Sequence, residues 1–281
     1  MKLNFTKMHG TGNDYVYVNG FTHELENMSE LAIKVSDRHF AIGSDGLIVI
    51  APSKVADVRM IMYNADGSRG KMCGNGIRCV AKYAYDHKLT DKEIMKIETD
   101  SGIKDIQVFL GEDKKVDSVK VNMGKAILKP ADIPMLAQGD SFVSQPIMVN
   151  GQEHIVTAVS MGNPHMVIFT TGIDDLNLDE IGPYFENHEL FPEKVNTEFV
   201  EVIDKNNFKM RVYERGTGET MSCGTGTCAV TVAAVLNGLA EYGEEINIHI
   251  RGGILKDCYE KDGTVFMTGT AVSVFDGEME I

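Results

Sequence analysis

Two segments of this 281-residue chain join a cysteine to glycines at one spacing: Cys73-Gly74-Asn75-Gly76 and Cys223-Gly224-Thr225-Gly226. Behind the first, Ile77, Val80, Ala81 and Ala84 recur at helical spacing; behind the second, Ala229 to Leu236 is apolar almost throughout. Each cysteine therefore stands just before a helix. A sulfur there meets unpaired backbone N–H groups and the positive end of the helix dipole, which favours thiolate and predicts a lowered pKa. The glycines admit a ligand close to the backbone, and the same N–H groups offer a carboxylate a seat. Two such units can bring two bases to one carbon. One removes a proton from one side and the other returns a proton to the opposite side, which is stereoinversion by proton transfer. The pair must rest with one thiolate and one thiol, so its pH dependence is bell-shaped.

The elements that must place these thiols repeat. Shifting the chain by 150 residues lays Gly12-Asn13 on Gly162-Asn163, and the stretch from Arg59 to Asn64 on Lys209 to Glu214. The same shift lays Val80 and Ala84 on Val230 and Ala234. Two lobes of like design follow, related by an approximate two-fold axis. Alternating or apolar stretches predict strands at 3–8, 15–19, 47–51, 58–63, 94–99, 103–110 and 116–122. In the second half they fall at 155–159, 166–170, 199–203, 208–213, 246–250 and 265–268, with further helices at 29–39 and 178–188. Strands outnumber helices and many connections are too short for parallel crossovers, so the sheets are expected to be largely antiparallel. The fold class is α+β: two pseudo-symmetric lobes, each a sheet wrapped around its central helix, with the active site in the cleft between them. The lobes are placed at 1–118 and 119–266, and the proline-bearing stretch from Lys129 to Pro146 reads as their connector.

Composition excludes several classes. The apolar share is 43% and the net charge is −14, which fits a globular core and argues against duplex nucleic acid or an anionic membrane as partner. The start of the chain lacks a signal-like apolar run, and no stretch is long enough to span a bilayer, so a soluble, cytosolic protein is expected. Five cysteines without an export signal make a poor disulfide framework, and their spacings do not match zinc-ligand pairs. Cys79, Cys228 and Cys258 are read as small buried hydrophobes.

The segments Asn64–Ser68, Met72–Arg78 and Glu214–Gly226 closely resemble those of diaminopimelate epimerases. So do Lys7–Asp14, Ser160–His165 and Phe191–Asn196, and the similarity runs from residue 3 to the final strand. The resemblance implies a cofactor-free, metal-free isomerase converting LL-diaminopimelate to the meso isomer, for lysine and peptidoglycan synthesis. It also implies a homodimer and a C-terminal strand, 267–281, that returns to the first lobe. Position by position it makes Cys73 and Cys223 the acid/base pair, with Cys73 the base on the LL substrate. Asn13, Asn64, Asn163, Asn196, Glu214 and Arg215 match substrate-binding positions. Gly74, Asn75, Gly224 and Thr225 match the backbone seats for the reacting carboxylate, and His165 and Glu214 match residues that tune the thiols. The types suit a substrate with an amino-acid head at both ends: neutral amides offer donor and acceptor together, Arg215 a fork for the remote carboxylate, Glu214 an acceptor for an ammonium. One departure is Gly46, where some members carry glutamine.

Other readings compete. Each asparagine alone could be a turn residue, and Asp45 and Arg78 read as structural partners. Gly224-Thr-Gly226-Thr-Cys-Ala229 fits a dinucleotide-binding fingerprint, with Glu244 about twenty residues on. That motif must follow a strand directly, whereas residues 215–222 intervene here and no parallel βαβ pattern is read around it. A non-catalytic binding protein would have no need of both thiols. A two-cysteine racemase acting on histidine, proline or hydroxyproline is the nearer rival, and turnover of a substrate panel separates the two.

Overall fold

The computed structural model describes residues 2–23 and 25–280. The chain divides into two compact units, Met1–Asn122 with Thr268–Ile281, and Met123–Met267.

The first unit runs β1 (Lys2–Gly10), β2 (Asn13–Asn19), α1 (Met28–Ser36), β3 (Gly46–Ala51), β4 (Val58–Asn64), β5 (Arg69–Gly70), α2 (Gly74–Asp86), β6 (Ile94–Thr99), β7 (Gly102–Leu110) and β8 (Val116–Lys125). The second runs β9 (Phe142–Val149), β10 (Gln152–Ser160), β11 (Pro164–Phe169), α3 (Leu178–Glu186), β12 (Asn196–Asp204), β13 (Asn207–Glu214), β14 (Gly218–Glu219), α4 (Gly224–Leu236), β15 (Glu245–Ile250), β16 (Gly253–Tyr259) and β17 (Thr264–Thr270). The last strand, β18 (Val272–Glu280), joins the first unit beside β1.

The two units share one pattern of pairing. In the first, β1–β2, β3–β4 and β6–β7 are antiparallel, while β2–β3 and β4–β6 are parallel. In the second, β10–β11, β12–β13 and β15–β16 are antiparallel, while β11–β12 and β13–β15 are parallel. β9 stands beside β10 as β18 stands beside β1. The parallel pairs correct the expectation of a sheet without βαβ units. Each is bridged by one helix, with the short strands β5 and β14 leading into α2 and α4, and the connection is long enough for a crossover.

Lys129–Pro146 is not a connector. It lies inside the second unit, where Pro130 opens a 3-10 turn, Ile133 and Met135 are buried, and Phe142 already belongs to β9. Its prolines read as linker punctuation, but a 3-10 turn accepts proline at its first position because the missing N–H has no partner to lose.

Strand alternation decides what faces each central helix. β3 is buried along nearly its whole length: Leu47 and Val49 join the core formed with Leu31, Ala32 and Val35 of α1, which leaves Ile48 to the α2 side. In β12, Phe199 joins the α3-side core with Leu178 and Phe185, which leaves Glu198 to the α4 side. Glycines sit where those residues arrive. A Cβ on Gly76 would lie 2.7 Å from Ile48 Cδ1, and one on Gly226 would lie 2.8 Å from Glu198 Oε1. The second glycine of each Cys-Gly-x-Gly thus lets the helix start press onto a strand.

Both central helices also end alike. Leu89 N–H donates to Ala84 O and Leu239 N–H to Ala234 O, each at 2.9 Å, after a residue in the left-handed region. That residue is Gly238 (φ 71°) behind α4 but Lys88 (φ 61°) behind α2. Inside α2 the fully buried Arg78 is held by Gly74 O, Thr11 Oγ1 and Thr270 O, a structural role as expected.

Candidate active site

In the first unit Cys73 caps α2 in extended conformation (φ −131°, ψ 123°), and its sulfur accepts the Gly76 N–H at 3.3 Å. The thiol donates to Asn13 Oδ1 at 3.2 Å, and Asn75 Nδ2 reaches the same oxygen at 3.4 Å. Asp45 fixes the Asn13 amide by accepting from its Nδ2 at 2.7 Å, and itself takes Arg38 Nη2 at 2.9 Å. Behind them Asp14 pairs with Lys7 and Arg38. Burial works to raise the Asp14 carboxyl, but hydrogen bonds from Arg38 and Lys7 outweigh it and hold the group below its ordinary range. Asp45 is thus the structural partner that its setting implied.

Asn64 closes its own turn, donating to Ser68 Oγ at 2.9 Å. Tyr15, absent from the sequence-based set, is buried on β2 with its hydroxyl bonded to the Cys73 sulfur. Burial first, and then the Cys73 charge, push that phenol well above its ordinary value. The ring also explains Gly46. A Cβ there would come within 2.1 Å of Tyr63 O and 2.9 Å of Tyr15 Cε1, so the chain has no room for the glutamine that some family members carry.

In the second unit Cys223 caps α4, also extended (φ −123°, ψ 102°), and is 5% exposed. Thr225 Oγ1 lies 3.6 Å from its sulfur and accepts from Asn163 Nδ2 at 3.3 Å. Asn163 Oδ1 faces His165 Nε2 at 3.1 Å, and His165 Nδ1 meets Glu198 Oε1 at 2.6 Å, with both of those side chains fully buried. Glu214 takes a hydrogen bond from Thr220 Oγ1 at 2.5 Å and another from the Cys223 thiol. Burial raises the Glu214 carboxyl, opposed by those two bonds and by the charge of His165. Asn196 spends its amide on backbone, donating to Pro164 O and accepting from Arg215 N, each at 2.9 Å. It thereby holds the exposed Arg215, whose Nη1 reaches Glu193 O at 2.9 Å.

The structure therefore gathers Asn13, Cys73 and Asn75 in one unit and Asn163, His165, Glu214, Cys223 and Thr225 in the other, while the side chains of Asn64 and Asn196 bond elsewhere. Tyr15 and Glu198 were missed. The repeat alone held the signal for Glu198, since it is the partner of Ile48 at the 150-residue shift and a carboxylate in a strand buried on both faces needs a partner.

Both thiols stand above the ordinary cysteine value, not below it. For Cys73 burial dominates over the Gly76 and Asn75 N–H groups, Tyr15 and Arg78. For Cys223 burial is joined by the charges of Glu214 and Glu198, against Thr225 and the Gly226 N–H. A helix N-terminus stabilises thiolate only by what its few N–H groups supply, and here loss of water outweighs them. Cys79 and Cys228 are buried as expected, the former thiol pushed up to about 11, whereas Cys258 is half-buried and bonds Glu260. Among the described residues no set of His, Cys, Asp and Glu is arranged to hold a metal ion, and no helix is long and apolar enough to cross a membrane.

The fold is of the α+β class and is shared with solved structures of low sequence identity. It superposes on a PhzF-family phenazine biosynthesis protein of Bacillus anthracis with a TM-score of 0.69 at 18% identity, covering 100% of both chains. Within that class, residues 5–129 and 157–274 match the diaminopimelate epimerase model. Relatives named diaminopimelate epimerase from Desulfovibrio desulfuricans and Acetivibrio thermocellus are 54% and 51% identical, each alignment covering 99% of both chains. The chain belongs to the diaminopimelate epimerase family.

Proposed function

We propose that the protein interconverts LL- and meso-2,6-diaminopimelate by moving the Cα proton between two cysteines. The observation that carries this reading is the duplicated thiol: each unit presents a cysteine at the N-cap of a central helix, Cys73 half-buried and Cys223 buried, with the N–H groups of the helix start beside it. The reacting carboxylate sits on the N–H groups of Gly74 and Asn75 and of Gly224 and Thr225, where the helix ends carry partial positive charge. Cys73 takes the proton of the LL centre while Cys223 delivers one to the opposite face, and the reverse reaction exchanges their roles.

The remaining residues hold the substrate. Asn13 and Asn163 lie beside the two thiols and offer their amides to the reacting amino-acid head, with Glu214 accepting its ammonium. Arg215, exposed and steadied by Asn196, forks onto the remote carboxylate, and Asn64 bounds that end. Clamping the distal head supplies orientation at the reacting one. A rival substrate with a single head, such as proline, would leave Arg215 without a partner. The dehydrogenase reading loses its ground because β14 and residues 220–223 separate β13 from α4.

We place the enzyme in the cytoplasm, among amino-acid biosynthetic enzymes, as a homodimer. The dimer is supported by β18, which carries Val272, Val274 and Phe275 exposed along the first unit. Light scattering on the purified chain tests it, and a monomer at working concentration refutes it. The activity is tested by incubation with LL-diaminopimelate in heavy water, without pyridoxal phosphate, followed by chiral chromatography. Meso product carrying deuterium at the inverted Cα is expected; no inversion, or inversion without label, refutes the scheme.

A further inference from the structure

Strand β2 aims one face at the start of α2. Alternation puts Asn13, Tyr15 and Tyr17 on that face, while Val16 and Val18 turn the other way into the core with α1. Asn13 Oδ1 takes the Cys73 thiol at 3.2 Å, the Tyr15 hydroxyl meets the same sulfur, and the Tyr17 hydroxyl donates to Gly76 O at 3.3 Å. Both tyrosines are buried, and Gly46 leaves room for the Tyr15 ring: a Cβ there would stand 2.9 Å from its Cε1. A buried phenol spends its proton on a nearby acceptor. The neighbours of the Tyr15 hydroxyl are the Cys73 sulfur and the Asn13 amide.

Direction follows from what each group has to give. Burial, with the charges of Cys73 and Asp45, pushes Tyr15 well above the ordinary phenol value, so it keeps its proton. A thiolate has no proton to offer, so beside an ionised Cys73 the Tyr15 hydroxyl only donates. The Asn13 oxygen does the reverse. It accepts the thiol proton and so favours the neutral form, and Asp45 holds it that way by taking Asn13 Nδ2 at 2.7 Å. From α2 itself the Gly76 and Asn75 N–H groups and the Arg78 charge favour thiolate, and the Tyr15 bond acts in the same sense. Tyr17 and Cys79 also feel the Cys73 charge, and burial keeps both of them neutral.

We propose that Tyr15 is a positioning residue for the first thiol: its buried hydroxyl donates to the Cys73 sulfur and favours the thiolate that takes the Cα proton. The role rests on the reading of Cys73 as one of the two acid/base groups. At the 150-residue shift Tyr15 falls on His165, so no phenol fills that place beside Cys223 and the duplicated halves are unequal.

¹³Cβ NMR of the full chain labelled at cysteine follows each thiol without substrate, with the Cys73 signal assigned by its loss in Cys73→Ser. Tyr15→Phe keeps the ring and removes the donor. The Cys73 midpoint is expected to rise by about one pH unit, a tenfold loss of thiolate at a given pH. Tyr17→Phe strips a buried hydroxyl from the same strand face, one that bonds Gly76 O, and should leave that midpoint in place. A midpoint that stays or falls in Tyr15→Phe, or an equal rise in Tyr17→Phe, overturns the proposal. The unaltered protein supplies a second reading that does not depend on Tyr15→Phe folding. One tyrosine ¹³Cζ signal should step at the Cys73 midpoint and lose that step in Cys73→Ser; if every tyrosine signal passes through that midpoint unmoved, the proposal is equally overturned. Failure of the epimerase reading would appear only in the substrate assay, since neither measurement uses substrate.

Discussion

Cys73→Ser separates the scaffolding role of this residue from its chemical one. As the N-cap of α2, Cys73 contributes one long sulfur bond, 3.3 Å from the Gly76 N–H. Serine is a better cap than cysteine and fits the same space, so stability should change by no more than about 1 kcal/mol, with a melting shift of about 4 °C or less. The chemistry is another matter. An alcohol ionises far less readily than a thiol, and general acid–base catalysis is worth about 10²–10⁴-fold per group, so inversion should fall by about 10³-fold in both directions. Cys223 remains, and with it half of the reaction. On the meso isomer it can still remove the Cα proton and return one from solvent to the same face. Deuterium should therefore enter meso-diaminopimelate slowly with no LL product, and should not enter the LL isomer. Chiral chromatography with mass detection, beside a thermal melt, reads all three quantities. Inversion above about a tenth of the unaltered rate would refute the two-base reasoning, because no second group then needs to be a thiol.

Four further outcomes are expected. Gly46→Gln should destabilise the first unit by about 1–3 kcal/mol in a denaturant melt, because its Cβ would meet the Tyr63 carbonyl, a backbone atom that cannot step aside. Lys88→Gly should stabilise by about 0.5–1 kcal/mol, since Lys88 occupies at φ 61° the left-handed place that Gly238 fills behind α4; a loss of stability would refute that comparison. Burial raises both thiols, so near neutrality the free enzyme holds mostly two thiols, and the working form with one thiolate grows as pH rises. kcat/KM should accordingly climb from pH 6 to pH 8, and a profile falling across that range would contradict the assignment. Arg215→Ala should raise KM for diaminopimelate while leaving the melt nearly unchanged, its side chain being exposed and bonded only to Glu193 O among the described residues; an unchanged KM would remove Arg215 from the site.

Much of the site was legible because its signals are local. A cysteine with glycines behind it and a helical period after it marks a helix start without knowledge of any distant partner, and both α2 and α4 begin one residue after the expected sulfur. The strands at 94–99 and 58–63 and the helix from residue 178 were likewise read from period and flanking turns. Failures came where a distant element decided. Gly253–Tyr259 forms β16, a strand passed over in the sequence, because its ladder to β15 and not its own composition holds it. The parallel pairs were missed for the same reason, since each is completed across a helix.

Duplication at 150 residues, two thiols at two helix starts and the family motifs are properties of the chain as written, because a repeat and a cap need only neighbours in sequence. Whether those thiols are raised or lowered, and what stands behind each, was decided by packing. Tyr15 acts on Cys73 and Glu198 on Cys223 from strands up to about sixty residues away in the chain, and the water excluded around the thiols governs ionisation more than the helix ends do. Helix starts are set by backbone hydrogen bonds within a few residues; desolvation is a sum over everything that folds on top of them.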